Sequence, residues 1–63
     1  MFINGENMDF NKLNIEEILD KLNVNKHNVV VEVDLKIIKK ENYNEFYPDI
    51  SSKIEIINFV GGG

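Results

Sequence analysis

Apolar positions fall along this 63-residue chain in two rhythms. Between Asn14 and Leu22 they recur at Ile15, Ile18, Leu19 and Leu22, the i, i+3, i+4, i+7 spacing that gathers one stripe on a helix. Asn14 stands where it can cap that helix, and Glu17 three positions later completes a capping box. Glu16 and Glu17 in the first turn and Lys21 in the last carry the signs the helix dipole prefers, and Asn23 suits a left-handed stop. A single apolar stripe has to lie on a sheet.

The remaining rhythm is that of strands. Met1-Phe2-Ile3 is a short apolar run that ends at Asn4-Gly5, two residues that tolerate positive φ in a tight hairpin turn. We read that dipeptide as a turn and nothing more. Asn7-Met8-Asp9-Phe10 then alternates polar and apolar as the returning strand. Val29-Val30-Val31-Glu32-Val33 is the most β-prone segment, apolar on both faces apart from one charge, which predicts the middle of the sheet. Asp34-Leu35-Lys36 turns the chain into Ile37-Ile38. Glu41 to Tyr47 places Tyr43, Phe46 and Tyr47 at near-helical spacing, which predicts a short helical turn packing aromatics onto the sheet edge. Pro48 to Ser52 reads as a turn, and Lys53 to Val60 as the last strand. The pattern predicts an α+β domain, a mixed sheet of about five strands curled around one helix.

Composition narrows what such a domain can do. A chain this short buries only ~60% of the surface its unfolded form exposes, and a ligand pocket of ~300 Å³ or more would consume the core that holds it together. Binding through a surface or a tail is the expectation. Eleven acids against seven Lys and no Arg give a net charge of −4, which argues against nucleic acid and favours encounter with a basic patch on a protein. Absent cysteine excludes disulfides, thiolate metal sites and a cysteine nucleophile or persulfide in this chain. The one histidine, His27, sits in the polar stretch Val24 to Asn28 without a second ligand or a base partner, so no metal site is expected. Lys36, Lys39 and Lys40 read as a solvated face. No apolar run approaches the ~20 residues of a membrane span and no targeting segment is seen, so the expected location is cytoplasmic, with no membrane partner.

The chain closes on Phe59-Val60-Gly61-Gly62-Gly63. Without Cβ atoms the glycines can be threaded into a narrow cleft, and Val60 to Gly63 can carry the terminal carboxylate roughly 13 Å beyond the fold. That carboxylate is ionised at neutral pH, its ordinary pKa being about 3.3–3.7, and needs no base to attack an electrophile. Taken alone, three glycines are equally what a frayed terminus or a cloning scar looks like.

Order and spacing together resemble the ThiS family, the sulfur-carrier proteins of thiamine biosynthesis. The carrying residues are Asn4-Gly5, Asn14-Ile15-Glu16-Glu17-Ile18-Leu19 at the helix start, Val29 to Val33 followed by Ile37-Ile38, Lys40 to Tyr43, and Ile54-Glu55-Ile56 running to Val60-Gly61-Gly62-Gly63. Asp34-Leu35 stands where Asn-Gly is common in the family, and Lys39 where Pro is common. The resemblance covers the whole chain and implies a ubiquitin-like β-grasp fold, with residues 1–60 as the domain and 61–63 as a flexible glycine tail.

It also implies a carrier that is not itself an enzyme. A ubiquitin-activating-type (ThiF-like) enzyme would use ATP and Mg²⁺, neither bound by this chain, to adenylate the Gly63 carboxylate. A sulfur donor would convert it to a thiocarboxylate, and a ThiG-like thiazole synthase would receive the sulfur. Phe59, Val60, Gly61 and Gly62 would dock the tail, although a strand-end aromatic such as Phe59 is equally a core residue. Three other readings stand beside this one: a carrier for molybdopterin or another sulfur pathway, a ubiquitin-like protein modifier, and a binding-only β-grasp module.

Overall fold

The computed structural model describes residues 1–59. Val60 and the expected tail Gly61 to Gly63 lie outside the described residues. The strands are β1 (Phe2–Ile3), β2 (Glu6–Asn7), β3 (Val29–Val33), β4 (Lys36–Ile38) and β5 (Lys53–Asn58), with the helix α1 (Ile15–Lys21) between β2 and β3. Short 3₁₀ turns occupy Lys26–Asn28 and Lys40–Asn42. The strands form one sheet in the order β2-β1-β5-β3-β4, in which β1 and β5 run parallel and the other neighbours antiparallel. This is the expected mixed sheet around one helix.

Three expectations need correction. Val29–Val33 is flanked on both sides, but the middle strand is β5: the crossover through α1 sets β3 one place away from β1, and β5 fills the position between them. The returning strand does not reach Phe10. With β1 only two residues long, β2 covers Glu6–Asn7; the pairing ends with two bonds between Met1 and Met8, at 2.8 and 3.1 Å. Met8 and Phe10 then pack half-buried against the core. In the aromatic segment Tyr43 is buried and Phe46 half-buried, whereas Tyr47 is 60% exposed. The 3₁₀ turn stops at Asn42, so the three rings do not share one face.

A seven-residue helix is too short to hold in water by itself, so its ends and its buried face must stabilise it. At the N-terminus each early N–H has an acceptor. Ile15 donates to Phe46 O at 3.0 Å, Glu16 to Tyr43 O at 3.2 Å and Glu17 to Asn14 Oδ1 at 2.8 Å. Glu17 Oε1 accepts from the Asn14 N–H at 2.9 Å, which closes the predicted capping box. At the C-terminus Asn23 takes φ 57°, Asn23 N–H donates to Asp20 O at 3.1 Å and Val24 N–H to Leu19 O at 2.9 Å, the pair of bonds that makes a Schellman stop. The aromatic segment therefore covers one end of the helix, and a left-handed asparagine closes the other.

Ile15, Ile18 and Leu19 of α1 are buried against Ile3, Val29, Val31, Val33 and Ile54, with Met1 and Tyr43 completing the core. Burying a side chain of this kind contributes about 1.5–3 kcal/mol. Burial pushes the Tyr43 phenol above its ordinary pKa, opposed by a weaker hydrogen bond with the Val31 backbone. In the turn before β5 the Ser51 hydroxyl, helped by the backbone of Ile50 and Ser51, holds the Asp49 carboxyl below its ordinary value.

Candidate functional site

β5 leads to the C-terminus from the middle of the sheet. Its register with β3 runs from Val33↔Ile54 to Val29↔Asn58, and Phe59 N–H extends it by one bond, to Asn28 O at 3.1 Å. The Phe59 side chain is 59% exposed, so it is not a core aromatic. Of the expected docking and reacting residues it alone is described; Val60, Gly61, Gly62 and Gly63 lie outside the described residues.

The face of the sheet turned away from α1 carries a second group of residues. Because cross-strand partners share a face, Glu32↔Glu55, Glu32↔Ile37 and Val30↔Ile57 place two carboxylates and three apolar side chains together. Ile37 is 67% exposed, Ile57 and Phe2 about half so. Phe2 and Lys53 are register partners farther along, beside an open hollow of about 440 Å³ that Gly5, Ile54 and Glu55 also line. Like charges directly opposite each other on paired strands destabilise the sheet. Among the described residues no ion pair relieves either carboxylate, and Lys26–Glu16 is the ion pair that forms. Sequence reasoning missed this group, since Glu32 and Glu55 meet only once the register is known.

Other features do not build a site. His27 is exposed, with Lys40 Nζ 3.1 Å from its Nδ1. The hollow beside them mixes Lys26, Lys40, Glu16 and Glu41, so it presents no uniform charge to a ligand. Among the described residues no cluster of three or more His, Asp or Glu is disposed to hold a metal ion, and no helix is long and apolar enough to cross a membrane.

A sequence model of the ThiS family matches residues 1–63, the whole chain. The chain belongs to the ThiS family. The crystal structure of the thiamine biosynthesis protein ThiS from Geobacter metallireducens superposes with a TM-score of 0.78 at 27% identity, covering 98% of this chain and 96% of that one. The β-grasp fold expected from the ThiS resemblance is thereby found. A thiazole synthase of Paramagnetospirillum magneticum is 36% identical over 64 residues, which span all of this chain but only 20% of that protein. The uncharacterized protein ycf40 of Trieres chinensis is 35% identical over 63 residues, 98% of this chain and 86% of that one. A ThiS-like segment thus occurs both as most of a small protein and as a minor part of a synthase.

Proposed function

We propose that this ThiS-family domain is a sulfur carrier of thiamine biosynthesis whose reacting group is the carboxylate of Gly63. The observation that carries the reading is that the family match runs through residue 63, so the glycines lie inside the matched span. In the first step a carboxylate oxygen attacks the α-phosphorus of ATP, held with Mg²⁺ by a ubiquitin-activating-type enzyme, and pyrophosphate leaves. In the second a sulfur nucleophile attacks the carbonyl of the mixed anhydride, AMP leaves, and a thiocarboxylate remains. The anhydride activates the carbonyl; the resulting sulfur is a better nucleophile than the carboxylate oxygen it replaces. A thiazole synthase then takes the sulfur, a role supported by the thiazole synthase that contains a segment similar to this chain.

The domain supplies neither acid nor base in this scheme. It presents a strand, β5, from which residues 60–63 follow, and a face by which an enzyme can hold it. Ile37 and Ile57 offer apolar contact there, and the Glu32–Glu55 pair suits a lysine or arginine of the enzyme. Phe59, exposed at the root of the tail, and Val60 with Gly61 and Gly62 would be gripped on the way to the active site.

The test is intact mass spectrometry after incubation with a thiamine-pathway adenylating enzyme, Mg-ATP and sulfide, with the change localised by peptide mapping. Replacement of one carboxyl oxygen by sulfur on Gly63 is expected. An unchanged mass, with the same enzyme active on an established carrier, would overturn the reading, and isopeptide conjugates in its place would indicate a protein modifier.

A further inference from the structure

β1 pairs with only the beginning of β5. Phe2↔Lys53 and Ile3↔Ile54 are its register, and after them the chain turns away through Asn4 and Gly5, at φ 51° and 84°. The Asn4 N–H still reaches Ile54 O at 2.9 Å. On this side of β5 the next backbone groups belong to Ile56, and no further backbone of β1 stands opposite them.

The side chain of Asn4 stands there. Its Oδ1 accepts from Ile56 N–H at 2.8 Å, and its Nδ2 donates to Ile56 O at 3.3 Å. A primary amide offers the same donor and acceptor as a peptide group, so one side chain continues the ladder for one more residue. With one bond in each sense to the same residue, the orientation of the amide is dictated by its partners. The turn itself does not demand this. Glycine or aspartate at the first position would satisfy the same positive φ, and the bonds to Ile56 cross 52 residues of sequence. Asparagine at this turn therefore has a second role, which its reading as a turn residue alone did not include.

We propose that Asn4 is a positioning residue for sulfur transfer. Its amide substitutes for the missing strand, holds β5 on both sides as far as Ile56, and so braces the strand from which the reacting end follows. This rests on the reading that Gly63 is the reacting end. A terminus that must be threaded into a partner's cleft docks with less ordering when its root is already held.

The test compares Asn4→Gly, which keeps the turn and loses both bonds, with Asn4→Asp, which keeps the acceptor for Ile56 N–H and loses the donor. Thiocarboxylate formation is followed by intact mass at varied carrier concentration, and amide hydrogen exchange is read at Ile56 and at Val31. Asn4→Gly is expected to raise KM for the carrier about three- to tenfold, the scale of one or two lost hydrogen bonds, with kcat within about twofold. Asn4→Asp should fall between it and wild type. Ile56 should exchange faster while Val31, in the core, does not. A KM unchanged in Asn4→Gly overturns the inference, as does a rise matched by equally faster exchange at Val31, which would mean general destabilisation. A wild-type chain that forms no thiocarboxylate sinks the carrier reading and this inference together; an active wild type with an indifferent Asn4→Gly sinks this one alone.

Discussion

The inner and outer faces of the sheet are built from the same strands, and they differ in what folding requires of them. On the inner face Val31, Val33 and Ile54 pack against Ile15, Ile18 and Leu19, and the N–H groups that open α1 all find acceptors. On the outer face Ile37 and Ile57 meet solvent and Glu32 stands opposite Glu55 with no ion pair to either carboxylate among the described residues. At the end of the β3–β4 hairpin Leu35 is 91% exposed with φ at 71°, a conformation disfavoured for a bulky side chain. Everything on the inner side lowers the free energy of the fold. The outer side holds groups that do not, and such groups are better explained by a partner than by stability.

That contrast can be broken by substitution. The largest effect is expected from Ile54→Ala, which leaves a cavity at the junction of β1, β5 and α1 and should destabilise the domain by about 2–5 kcal/mol in urea or thermal unfolding. Asn14→Ala comes next. It removes the cap to Glu17 N–H and the bond to Asn44 O at 3.2 Å, with an expected loss of about 1–2 kcal/mol.

Leu35→Gly has the opposite sign. Relief of the left-handed strain, partly offset by the greater freedom of glycine in the unfolded chain, should stabilise the domain by about 0.5–1 kcal/mol. Ile37→Asp sets a carboxylate opposite Glu32 and should cost about 1 kcal/mol, too little to unfold the domain, yet lower the rate of thiocarboxylate formation at limiting carrier by about tenfold or more. If Ile37→Asp unfolded the domain, or left the rate alone, the outer face would lose its separate standing.

The smallest effects are on pH dependence. Because burial raises the Tyr43 pKa in the folded state, the folded protein holds that proton longer than the unfolded chain does. Its contribution is present below about pH 10 and lost as pH rises through the folded value; Tyr43→Phe should flatten this alkaline limb of the stability profile. Asp49, lowered in the folded state, acts in the other direction. Its contribution is present above about pH 4 and lost as pH falls through the folded value, so Asp49→Asn should flatten the acid limb.

Much of α1 is legible in the chain because its signals are local. Asn14 and Glu17 are three residues apart, Asn23 ends the helix by its own dihedral, and the stripe Ile15, Ile18, Leu19 needs only the helical period to become a face. Strand composition gives less. Val29–Val33 has the sequence of a buried strand and is one, but its place second from the edge depends on β1 pairing in parallel with β5 from the far end of the chain. Phe59 shows the same limit. An aromatic at a strand end is compatible with core or surface, and only the packed sheet shows it exposed.

The sequence by itself determined the helix and its caps, the turn with positive φ at Asn4-Gly5, the place of the turn at Asp34-Leu35, the alternation that sorts the strands' faces, and the glycines that close the chain. These follow from dihedral preference, hydrophobic period and hydrogen bonds closed within a few residues. Tertiary structure alone decided the strand order, the meeting of Glu32 with Glu55, and the two bonds from Asn4 to Ile56. Each joins residues far apart in the chain, and a contact of that kind exists only after the core has fixed the register of one strand against another.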